Sequence, residues 1–103
     1  MRFTLTARHF DPPTALKEFI EKKLKRLERF NSFIIDTEIV LSKDGKINTA
    51  EGKIVLKKGT LTAKVKSQDI RLATKDLLSK LEKQLERHEE KIRDKKRLSP
   101  SRG

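Results

Sequence analysis

At the start of the chain apolar and polar residues alternate: Phe3, Leu5 and Ala7 fall between Arg2, Thr4, Thr6 and Arg8. A period of two is that of a strand with one buried face, so the pattern predicts a first strand here. The period then changes. Leu16, Phe19, Ile20, Leu24 and Leu27 recur at spacings of three and four, and Asp11-Pro12-Pro13-Thr14 ahead of them offers a capping carboxylate and prolines suited to a helix start. This predicts a first helix over about residues 13–30, ended at Asn31-Ser32. Residues 34–43 are rich in β-branched side chains and run into Lys43-Asp44-Gly45-Lys46, whose Asp-Gly step is the signature of a tight turn. A second strand should therefore pair antiparallel with a third over about residues 47–56. Lys57-Lys58-Gly59 makes another short turn, and Leu61, Ala63 and Val65 alternate with Thr60, Thr62, Lys64 and Lys66 in a fourth strand.

Asp69 is placed to cap a second helix, in which Ile70, Ala73, Leu77, Leu81, Leu85, His88 and Ile92 recur at helical spacing to about residue 94. Residues 95–103 carry Ser-Pro-Ser and a glycine without apolar period and are expected to form a disordered basic tail. The expected organisation is one α+β domain over residues 1–94, in the order β-α-β-β-β-α. Two helices packed on one face of a mostly antiparallel four-stranded sheet would bury one strand face and one stripe of each helix.

Composition narrows the function. Hydrophobic residues make up 34% of 103, so the core is thin and rests on a few well-placed positions. Cysteine is absent, which removes disulfide frameworks, thiolate nucleophiles and Cys-ligated metals. No apolar run approaches the roughly 20 residues that span a bilayer. His9 and His88 stand apart, the serines lack a nucleophile-elbow context, and no glycine-rich loop could cradle a nucleotide. We therefore expect no catalysis, no cofactor, no metal and no small-molecule substrate.

Charge points to a partner. Lys and Arg number 26 against 15 Asp and Glu, a formal +11, and the excess is concentrated in residues 51–103. A polyanion, with nucleic acid ahead of anionic membrane, is the partner such a field attracts. On a wheel of about 100° per residue, Lys80, Lys83, Arg87 and Lys91 of the second helix fall in one arc beside the apolar stripe, whereas Glu82, Glu86, Glu89 and Glu90 take the remaining side. Interleaved signs would indicate ordinary salt-bridge lacing; segregated signs favour a binding ridge. The first helix repeats the design with Lys22, Lys23, Lys25, Arg26 and Arg29, and Lys64, Lys66 and Arg71 extend the charge, so a basic cleft or saddle for an RNA backbone is expected. The five phenylalanines read as core or staple residues, not as base-stacking platforms. After the first strand the order is dsRBD-like, that of a double-stranded-RNA-binding domain, yet no basic cluster opens the second helix. Generic duplex reading is disfavoured.

The residues also carry a resemblance. Asp69-Ile70 to Leu85, with Ala73, Leu77-Leu78 and Lys80-Leu81-Glu82-Lys83-Gln84-Leu85, resembles the second helix of the ribosome hibernation factor family, also called ribosome-associated inhibitors or sigma-54 modulation proteins. Ala15-Leu16-Lys17-Glu18-Phe19-Ile20 and Lys23-Leu24-Lys25-Arg26-Leu27-Glu28 are similar to its first helix, and Ile39-Val40-Leu41-Ser42-Lys43 to its second strand. With no membrane-spanning run the protein is expected to be cytoplasmic, and the resemblance implies that it is monomeric off the ribosome and binds the small ribosomal subunit through its 16S-type rRNA. The site implied is the channel used by messenger and transfer RNA, where occupancy blocks translation and protects idle ribosomes. Lys23, Arg26, Arg29, Lys80, Lys83, Arg87 and Lys91 match basic family positions. The chain departs from the family at Asp69-Ile70-Arg71, where Asp-Met-Tyr is frequent, and at Thr74 and Lys75, where an apolar residue and an acid or amide are frequent; both departures make it more basic. With neither a second domain nor an acidic tail it resembles a short form or a fragment of a long one. The alternatives are a general structured-RNA binder or chaperone, which would coat many RNAs, and a protein-binding transcription regulator, which would bind after nuclease treatment.

Overall fold

Alternating burial is strongest in the third strand, where Asn48, Ala50, Gly52, Ile54 and Leu56 are buried between exposed or half-buried neighbours. One face of the sheet is thereby committed to the helices. In a computed structural model, which describes the backbone of residues 2–101 and the side chains of residues 2–92, the elements run β1 (Arg2–Arg8), α1 (Thr14–Arg26), β2 (Ile34–Asp44), β3 (Ile47–Leu56), β4 (Gly59–Ser67) and α2 (Ile70–Ser101). A 3-10 turn, Leu27–Phe30, closes α1. The expected β-α-β-β-β-α order is the observed one. Helix α2 continues beyond the expected end near residue 94, and the tail expected at 95–103 lies outside the residues described with their side chains.

The four strands lie in the order β1-β2-β3-β4. β2 pairs antiparallel with β3 and β3 with β4, as the two short turns require, and Gly45 turns the first of them at φ 63. β1, in contrast, pairs parallel with β2, Leu5 beside Ile39. Parallel neighbours need a crossover, and α1 with its 3-10 turn supplies it. The sheet is therefore mixed, with one parallel pairing among antiparallel ones.

The core gathers the apolar stripe of each helix on this face: Leu16, Ile20, Leu24, Leu27 and Phe30 from the α1 segment, Ile39, Leu41, Ala50 and Ile54 from the sheet, and Ala73, Leu77, Leu78, Leu81 and Leu85 from α2. Phe30 is fully buried, and Phe3, Phe10, Phe19 and Phe33 pack against the same cluster, so the phenylalanines act as core residues. Asp69 caps α2: its Oδ1 accepts from the Arg71 and Leu72 backbone N–H groups at 2.9 and 3.4 Å. Asp11 does not cap α1. Pro13 occupies that cap, without a side-chain hydrogen bond, because its fixed φ already starts the helix.

Candidate nucleic-acid interface

Gln84 fixes how α2 is rotated on the sheet. Its Nε2 donates to the Thr62 carbonyl of β4 at 3.2 Å, so the side of α2 that carries Gln84 lies over β4. Lys80, Arg87 and Lys91 neighbour Gln84 at helical spacing, Lys83 lies at the outer edge of the same arc, and all four are exposed. None of them is in an ion pair among the described residues. The α2 ridge thus runs along the β4 edge of the molecule.

Lys64 and Lys66 belong to the same edge but point to the open face of the sheet, opposite the helices. Their register partners on β3 are Glu51 and Thr49, and Lys64 Nζ lies 3.6 Å from Glu51 Oε1. Around them the open face mixes signs: Arg2 stands beside Asp36, and Glu38 beside Lys53. Cross-strand pairs of this kind are ordinary sheet electrostatics. Lys64 and Lys66 share with the α2 ridge the edge strand β4, on which Gln84 is seated.

The acidic flank of α2 turns the other way, toward α1. Arg29 Nη2 lies 2.8 Å from Glu86 Oε1 and 3.9 Å from Glu82 Oε2, and its guanidinium sits 4.5 Å from the Phe30 ring centroid. Arg29 is thereby held as a bridge between the helices. Phe33, 5.8 Å from Phe30 and 5.2 Å from the His88 ring, extends the same seam along α2, which makes His88 a packing residue. The basic surface is divided: acids on the α1 side of α2 stand between the α2 ridge and the cations of α1.

On α1, Lys22, Lys25 and Arg26 are exposed, while Lys23 is half-buried with its ammonium 5.5 Å from the Phe19 ring centroid. Lys23 and Arg26 line a small groove between the helices with Leu27, Lys75, Leu78, Ser79 and Glu82. Arg71 is exposed in the first turn of α2 and lines a neighbouring recess with Phe19, Leu72 and Lys75. Of the twelve cations read from the sequence, Lys80, Lys83, Arg87 and Lys91 form the α2 ridge with Lys64 and Lys66 on the adjacent strand, Lys23 and Arg26 line the α1–α2 groove, Arg71 lines the neighbouring recess, Arg29 bridges to Glu86, and Lys22 and Lys25 are exposed on α1. Lys75, which the sequence marks only as a departure from the family, and Ser79, which it does not mark, complete that groove; their i, i+4 spacing was the available signal. Among the described residues, no helix is long and apolar enough to cross a membrane, and no group of three or more His, Asp or Glu could hold a metal ion.

Residues 3–93 match the family model described as sigma 54 modulation protein / S30EA ribosomal protein. The ribosome hibernation promoting factor of Escherichia coli strain K12 is 27% identical over 93 residues, which cover 90% of this chain and 98% of that one. The ribosome hibernation promoting factor of Azotobacter vinelandii is 25% identical over 91 residues, covering 88% and 85%. Among solved structures, a ribosomal subunit interface protein from Coxiella burnetii superposes with a TM-score of 0.78 at 27% identity, covering 86% of this chain and 98% of that one. The N-terminal domain of Thermus thermophilus Protein Y gives 0.75 at 29% identity, covering 85% and 99%.

Proposed function

Because the chain belongs to the sigma 54 modulation protein / S30EA ribosomal protein family, we propose that it is a cytoplasmic ribosome hibernation factor. It binds the small ribosomal subunit in the channel used by messenger and transfer RNA, blocks translation there and preserves idle ribosomes. It acts by binding, not by catalysis. The observation that carries the reading is the exposed row Lys80, Lys83, Arg87 and Lys91, free of ion pairs among the described residues, on a fold shared with relatives named for the ribosome. A cation row without such pairs is available to phosphates, and each phosphate it neutralises releases counterions. The groove residues Lys23 and Arg26, Arg71 in the neighbouring recess, the exposed Lys22 and Lys25 of α1, and Lys64 and Lys66 on the β4 margin provide further contacts. Arg29 contributes to the extent that it leaves Glu86.

Electrostatics alone would not select a site, so the test is competition on purified small subunits at constant ionic strength. Messenger plus transfer RNA should displace the protein, and an equal mass of unrelated duplex RNA should not. Equal displacement by both would reduce the protein to a general RNA binder.

A further inference from the structure

Three cations converge on the groove between α1 and α2. Lys23 and Arg26, three residues apart on one face of α1, stand opposite Lys75 of α2, and together with Ser79 they enclose a cavity of about 60 Å³. Its floor is apolar: Leu27 and Leu78 are 2% and 6% exposed. One acid, Glu82, shares the rim, and its carboxylate lies 3.9 Å from Arg29 Nη2, so part of its charge is already answered. None of Lys23, Arg26 and Lys75 is in an ion pair among the described residues. Like charges three or four residues apart on a helix repel, and a third facing them across a groove adds to that cost. An anion between them would convert repulsion into attraction. The low-dielectric floor strengthens that attraction relative to open water, and the Ser79 hydroxyl is a neutral donor on the same wall.

We propose that this groove seats one phosphate of an RNA backbone, held by Lys23, Arg26 and Lys75 with the Ser79 hydroxyl donating to a phosphate oxygen. The seat rests on the ribosome-binding reading for the identity of its RNA, and it adds two residues of α2 that lie outside the Lys80–Lys91 ridge. It also fixes how the molecule meets RNA. A ridge accepts a backbone in many positions along its length, whereas a groove of this size accepts one phosphate in one place and sets the register of the rest.

The decisive variants are Lys75→Glu and Ser79→Ala, with Lys46→Glu in the β2–β3 turn as a control of equal charge change. Affinity for purified small subunits is measured across a salt series, and unfolding midpoints establish that each exposed substitution leaves the fold intact. Lys75→Glu should weaken binding about tenfold and lower the salt slope by about one, while Lys46→Glu should do neither. Ser79→Ala should weaken binding less and leave the slope unchanged, and Lys75→Arg should restore most of the affinity. Equal effects of Lys75→Glu and Lys46→Glu would overturn the seat while leaving the ribosome reading in place. Absence of saturable binding by the unsubstituted chain would overturn the ribosome reading itself. A second arm titrates inorganic phosphate against chloride, at constant ionic strength, into the free protein. Saturable amide shifts confined to the groove support a phosphate seat, and their absence counts against it. If phosphate saturates the groove but Lys75→Glu behaves like the control on subunits, the seat is for a free anion and the RNA assignment fails.

Discussion

A Cβ added to Gly52 of β3 would lie 2.6 Å from Leu81 Cδ1 and 3.3 Å from Leu77 Cδ1, so α2 seats directly on the backbone of the sheet at this point. Both leucines are fully buried among the other core side chains. Gly52→Ala should destabilise the protein by about 1–3 kcal/mol through overpacking. The stiffer unfolded chain returns only about 0.4–1 kcal/mol, so the sign is set by the clash. Urea unfolding measures it, and a midpoint equal to that of the unsubstituted chain would show that the helix stands farther from the strand.

Lys80→Glu combined with Lys83→Glu should leave the fold intact and sharply weaken small-subunit binding. Both side chains are exposed and neither contributes to the core. Circular dichroism checks the first half and cosedimentation in moderate salt the second. Retained affinity would mean that this face is merely solvated.

Glu86→Gln should tighten binding to the small subunit by a few-fold. The substitution removes an anion from the α1 side of α2 and frees Arg29, whose guanidinium it holds at 2.8 Å. The stability cost should stay below about 1 kcal/mol, because both partners are about half exposed and such pairs are weak. Subunit affinity and thermal unfolding of the same variant test the two statements separately.

Asp69→Ala should cost about 1 kcal/mol by leaving the first N–H groups of α2 without their acceptor, and Asp69→Asn should cost clearly less. Chemical denaturation of both variants measures the difference. Equal losses would indicate that the charge at this helix start matters more than the hydrogen bonds.

The strands, the helices and their order could be read from the chain because each depends on local rules. Period two placed Phe3, Leu5 and Ala7 on one face, Asp-Gly placed the β2–β3 turn, and the spacing of Leu77, Leu81 and Leu85 placed the stripe that α2 buries. The exposure of Lys80, Lys83, Arg87 and Lys91 follows from the same helical period. Pro13 displacing Asp11 as the cap of α1 shows the margin of such reading: two local signals competed, and the backbone constraint prevailed without a side-chain bond.

What surrounds each surface is a different matter. Sequence spacing states which residues share a face of α2, but it carries no term for which neighbour that face meets. Only the docking of α2 on β3 and β4, fixed by Gly52 beneath Leu81 and by Gln84 on Thr62, turns the acidic flank to Arg29 and the basic ridge to the outer edge. That rotation sets acids between the α2 ridge and the cations of α1 and brings Lys75 opposite Lys23 and Arg26. The parallel pairing of β1 with β2 has the same origin, since strand direction is set by where the crossover through α1 returns the chain. Local spacing thus sets the elements and the charge each one carries. The tertiary structure decided which charges meet, because contacts between residues distant along the chain depend on the packing of whole elements and not on the period within one.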